Sequence, residues 1–210
     1  MKKLIILITV ALLSSSLFSQ QKVVELPAPE KEGGKPLMEA LNERHSARAF
    51  ANKKMPEQTL SNLLWAAYGI NREEAGKHTT PTSKNVQDMQ VYITTQDGAY
   101  LYLPKQNAIK KVVDEDIRAS MGEQEFTANA ALNLIYVSDF SQYEGGDETT
   151  KKITASAHCG FIGQNVYLFC ASEGLNSVFR AWIDKDLIHE KLQLGENQHV
   201  IYTHTVGYPK

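Results

Sequence analysis

Apolar residues recur at helical spacing in the first third of the chain, and then the period changes. Pro36 stands where a helix can open, and Leu37, Met38 and Leu41 give that helix an apolar face. A second helix opens at Pro56, carries Leu60, Leu63, Leu64 and Ala67 on one side, and stops at Gly69. From Met89 the period falls to two. QVYITT and AYLYLP flank QDG, which predicts a hairpin through Asp97-Gly98. Residues 107–120 read as helix. ALNLIYVSD (131–139) reads as a strand that ends in a polar loop at Gly145 and Gly146. Lys151 to Glu173 is the longest helical pattern. It is apolar around much of its circumference, which predicts a central buried helix, and Gly160 and Gly163 would let a neighbour pack close. NSVFRAWI (176–183) and HVIYTHTVGY (199–208) read as strands. The expected class is α+β, a mostly antiparallel sheet with helices packed on it.

The 210 residues, 42% of them hydrophobic, suffice for one domain with a real core. MKKLIILITVALLSSSLFSQ (1–20) has the layout of a secretory signal: Lys2 and Lys3, an apolar run from Leu4 to Leu13, then small residues. The run is short for a membrane span. The expected location is therefore periplasmic or secreted, with no membrane anchor. Removing the segment takes two lysines from a net charge of −2, leaving −4. No strongly basic region points to nucleic acid. Residues 21–35, with Pro27, Pro29, Gly33 and Gly34, read as a flexible lead-in, and 36–210 as the domain. Cys159 and Cys170 lie eleven apart on one helix, roughly 16 Å, so they read as buried thiols and not a disulfide. The histidines show no metal-ligand spacing, and His158 beside Cys159 reads as packing. There is neither GxGxxG nor GxxxxGK[ST].

One short stretch carries chemistry. NERHSARAF (42–50) places Arg44, Ser46 and Arg48 on alternate positions. On an extended chain all three face one way; on a helix only the two arginines would share a face. Either geometry aims two guanidinium forks at one point, and a phosphate suits them best.

ERHSARAF resembles the phosphate-binding opening of the FMN-dependent nitroreductase family. LLWAAYGINR and TTPTSKNVQDMQVYI resemble its second helix and its Pro-Ser-Ser-x-Asn-x-Gln turn. GFIGQNVYLFCASEGLNSV resembles its central helix, and VIYTHTVGYPK its last strand and Gly-Tyr-Pro turn. LLWAAYGINR and YLYLP look closest to the SagB-type branch, whose better-known members oxidise peptide azolines. The resemblance implies a nitroreductase-like fold in an intertwined homodimer with FMN between two copies. It implies that Arg44, Ser46 and Arg48 cradle FMN, with His45 contributing through its backbone and Arg48 tuning the flavin's potential. Pro81, Thr82, Ser83 and Asn85 match the turn that lies against the flavin of the other subunit. Ala181 falls where a backbone N–H reaches flavin N5, flanked by Arg180 and Trp182. Trp182 would narrow the pocket, stack on substrate, or join the core; Arg180 would bind an acidic substrate group or form a surface ion pair. Lys210 is the one basic residue left beyond Gly-Tyr-Pro to complete the phosphate site.

The implied activity is FMN-dependent oxidoreduction, passing electrons or hydride to a small acceptor in a ping-pong cycle. No catalytic side chain is required, and NAD(P)H would be the donor only in the cytoplasm. The alternatives are an exported flavin-binding protein with little turnover, or an FMN-less dimeric binding module.

Overall fold

The computed structural model describes residues 22–210; the signal-like segment 1–20 lies outside the described residues. In chain order the elements are β1 (Val23–Glu25), α1 (Leu37–Glu43), β2 (Phe50–Ala51), α2 (Glu57–Tyr68), β3 (Ile70–Arg72), β4 (Lys77–His78), β5 (Met89–Thr95), β6 (Gly98–Leu103) and β7 (Ala108–Val113). They continue with α3 (Phe126–Asn129), β8 (Leu132–Asp139), α4 (Glu148–Glu173), β9 (Asn176–Arg180), α5 (Lys185–Lys191) and β10 (Gln198–Pro209). Strands line up as β1-β7-β6-β5-β8-β10-β2, with β9 also on β10, and every pair is antiparallel. The expected α+β class with an antiparallel sheet and flanking helices is what forms.

β8 is buried on both faces, as its near-continuous apolar run requires. On one face Leu63 and Leu64 of α2 and Cys159, Ile162 and Val166 of α4 pack on Val91, Ile93, Leu134 and Tyr136. On the other, Ile188, Leu192 and Leu194 pack on Tyr92, Ile135, Val137 and Val200. α4 starts where Asp147 accepts a hydrogen bond from the Thr150 N–H (2.7 Å) and ends at Gly174, whose left-handed φ of 66° closes it. Both cysteines on it are free and buried, and burial pushes the Cys170 thiol up to about 12. Gly163 admits a close neighbour, as expected: a Cβ there would meet the Phe179 ring at 2.6 Å. Gly160 faces open space instead.

Four expectations are corrected. Residues 107–120 are not a helix. β7 pairs Ile109 with Tyr102 and Lys110 with Leu101, and a single 3₁₀ turn follows at Arg118–Met121. The lead-in is part of the domain: β1 pairs Val24 with Ile109, Ser61 Oγ donates to Pro27 O (2.5 Å), and Glu30 N–H donates to Asn62 Oδ1 (2.8 Å). The apolar face of α1 does not join the core, because only Ala40 is buried; Leu37, Met38 and Leu41 are exposed. The strand expected over 176–183 ends at Arg180.

Candidate functional site

α1 ends at Arg44, and residues 44–49 run on without helical or strand pairing of their own. Two bonds pin them to β9, from the Ala47 N–H to Ser177 O (2.9 Å) and from Asn176 Nδ2 to Ala49 O (2.8 Å). Of the two sequence-level geometries, the non-helical one forms. Two of the side chains then meet α4, and Arg48 is exposed. Ser46 Oγ is 2.7 Å from the Tyr167 hydroxyl, and the Arg44 guanidinium lies over the Tyr167 ring at 5.1 Å. Tyr167 Oη also accepts the Phe179 N–H (2.8 Å), so one phenol joins this loop to β9. Neither Arg44 nor Arg48 has an acid within ion-pair distance among the described residues. His45 is occupied locally, its Nδ1 2.8 Å from Glu43 O. Lys210 follows the Pro209↔Phe50 pairing and so comes to the Ala49 end of the same loop.

The Pro81–Asn85 turn sits elsewhere on α4. Thr82 Oγ1 accepts the Gln87 N–H (3.0 Å), and Lys84, Asn85 and Gln87 all take left-handed backbone at φ 50°, 57° and 49°. Pro81, Ser83 and Asn85 are exposed. The Ser83 N–H donates to His158 Nε2 (2.8 Å). His158 and Tyr167 are nine residues apart, roughly 13 Å along the helix. The turn and the arginine loop are thus not brought together within one chain. A cavity of about 750 Å³ lies beside the turn, walled by Ser83, Lys84, Asn85, Tyr143, Gly145 and Thr150.

The donor set suits a phosphate monoester. Arg44 and Ser46 meet on Tyr167 and could share a dianion, while Arg48 is exposed two residues on.

The sequence model of the nitroreductase family matches residues 41–208. The chain belongs to the nitroreductase family. A protein of Methanocaldococcus jannaschii assigned to the nitroreductases is 28% identical over 185 residues, covering 82% of this chain and 91% of its own. The crystal structure of a Ralstonia eutropha protein of the same assignment superposes with a TM-score of 0.85 at 32% identity, covering 90% of each chain. A chain of the Escherichia coli microcin synthetase complex shares the fold at a TM-score of 0.68 and 16% identity, over 98% of this chain and 85% of that one.

In this nitroreductase the β9 segment differs from expectation. Arg180 turns inward and is 5% exposed. Its guanidinium donates to Thr205 Oγ1 (3.0 Å), Met121 O (2.9 Å) and Asn133 Oδ1 (3.2 Å), and burial lowers its pKa to about 10. It makes neither a surface ion pair nor a contact open to an acidic substrate. Trp182 is not core: it is 70% exposed, beside exposed Ala181.

Three residues that organise this nitroreductase site escape sequence reading. Tyr167 is one aromatic among several on α4. His158 is no mere packing residue, since its Nδ1–H donates to Asp88 Oδ1 (2.7 Å) while Nε2 accepts from Ser83. Asp88, 1% exposed, also accepts from Ser138 Oγ (2.5 Å) and the Tyr143 hydroxyl (2.9 Å). Burial alone would raise its carboxyl pKa; the bonds from His158, Ser138 and Tyr143 outweigh that and hold it below the ordinary value. The one sequence signal was Asp88 itself, an acid interrupting the start of a buried strand.

Proposed function

We propose that this nitroreductase is an FMN-dependent oxidoreductase that works as a homodimer and passes electrons or hydride to a small acceptor in a ping-pong cycle. The observation that carries it is the loop of residues 44–48, in which Arg44 and Ser46 meet on Tyr167 and neither Arg44 nor Arg48 has an acid within ion-pair distance among the described residues. Arg44 and Ser46 would hold the phosphate. Arg48 would sit nearer the ring system, where a cation favours the anionic reduced form, and each tenfold bias between redox states moves a two-electron potential by about 30 mV. Lys210, His45 and the backbone at Ala181 complete the set of residues around the cofactor. FMN supplies the redox chemistry when bound, so no side chain need act as nucleophile or acid.

A second copy is supported by surface left bare. Leu37 and Met38 on α1, and Ile153 and Phe161 on α4, are 63%, 75%, 68% and 45% exposed. The exposed Pro81–Asn85 turn would then meet the other copy's flavin, which answers the separation of the two site segments on α4. The signal-like first twenty residues support export, and an exported enzyme would draw on a donor other than NAD(P)H. LLWAAYGINR and YLYLP support a place in the SagB-type branch.

Purification tests the reading. The protein should be yellow, and its dithionite-reduced form should be reoxidised by a nitroaromatic or a quinone. Arg44→Ala should weaken FMN retention by about 2–3 kcal/mol, roughly 30- to 160-fold, with Lys105→Ala unchanged. Yellow protein that is never reoxidised would point to a flavin-binding protein without turnover. Colourless protein that cannot be reconstituted would leave a binding module.

A further inference from the structure

The Ser83–Asn85 turn is exposed, yet it holds a backbone that non-glycine residues avoid. Lys84, Asn85 and Gln87 all have φ near 50°, and such conformations persist only where surrounding contacts over-determine them. Two bonds do this at its ends: Gln87 N–H to Thr82 Oγ1, and Ser83 N–H to His158 Nε2. The second leads into the core. His158 is 2% and Asp88 1% exposed.

The bonding fixes the imidazole's state. A backbone amide only donates, so Nε2 must present its lone pair. An ionised carboxylate only accepts, so Nδ1 must carry the proton. Asp88 thus sets the tautomer that Ser83 needs. The same carboxylate accepts from Tyr143, which also lines the 750 Å³ cavity, and from Ser138 of β8. One buried acid ties two lining residues, Ser83 through His158 and Tyr143 directly, to the sheet.

We propose that His158 is a positioning residue for the flavin: with its tautomer set by Asp88, it holds the Ser83 amide and so fixes the turn that meets the cofactor of the second copy. This rests on the FMN reading above. It is a role at a distance, since His158 itself is buried behind the turn.

Two substitutions separate the bonds His158 makes. His158→Asn keeps a donor near the Nδ1 position but falls short of Ser83. His158→Gln carries an acceptor out to the Nε2 position. In the full-length protein, His158→Asn should speed amide exchange at Ser83–Gln87 and weaken FMN binding, each by up to roughly tenfold, as expected for the loss of one hydrogen bond to a partly buried amide. His158→Gln should restore both towards wild type. Long-range ¹H–¹⁵N NMR on the wild type should show the proton on Nδ1. Wild-type exchange and FMN affinity in His158→Asn would overturn the proposal, as would an Nε2-protonated ring. If His158→Asn does not fold, the wild-type tautomer and His158→Gln decide. A wild-type protein that takes up no FMN overturns the flavin reading and this role towards it, while exchange at Ser83 still shows whether His158 holds the turn.

Discussion

Gly163 faces the Phe179 ring with no room for a methyl group: a Cβ would lie 2.6 Å from its edge. Gly163→Ala should therefore cost about 1–3 kcal/mol, read as a lowered urea midpoint, because the aromatic must leave its place against Tyr136 and Tyr202. His204, fully buried with Nε2 unpartnered, gives a pH signature. Burial first, and the Arg180 charge second, lower its pKa to about 3. The unfolded chain takes that proton near pH 6.5, so between about 6.5 and 3 the unfolded state binds more protons and stability falls as pH drops. The slope from this group is about 1.4 kcal/mol per pH unit. Urea melts at pH 7, 5.5 and 4.5 measure it, and a flat profile would mean His204 is hydrated. At this scale the arginine motif was legible because its members are contiguous. Tyr167 and His158 were not, because their partners lie 121 and 75 residues away and only the fold brings them near.

Among the elements, α2, the β5–β6 hairpin, β8 and α4 announced themselves through long patterns with clear stops. β7 did not. In AIKKVV the apolar residues Ile109, Val112 and Val113 fall at spacings that suit a helix as well as a strand, and six residues are too few to decide. What decides is pairing on both sides, to β6 and β1. The same contact explains why proline and glycine misled over the lead-in: β1 covers the edge of β7, and Asn107 Nδ2 donates to Pro27 O (2.8 Å). A chain beginning at Pro27 should lose about 2–4 kcal/mol relative to one beginning at Lys22, read by thermal melting, because the β7 backbone bonds and the cover on Ile109 go together. An unchanged midpoint would show β1 to be dispensable.

For the molecule as a whole, the bare apolar surface on α1 and α4 is the largest feature that one copy leaves unexplained. Phe161→Glu should convert a dimer to a monomer by light scattering and release flavin with it. A variant that stays dimeric and yellow would place the second copy elsewhere. The α1 face misled sequence reading because its apolar pattern is real but Leu37, Met38 and Leu41 stay exposed instead of joining the core. Finally, α4 is a ruler. The arginine-loop anchor Tyr167 and the turn anchor His158 are nine residues apart on one helix. A single alanine inserted between them would swing one anchor about 100° around the axis relative to the other. The damage would reach the arginine loop and the turn at once, so the number of residues between these anchors is constrained as well as the identity of core positions such as Gly163.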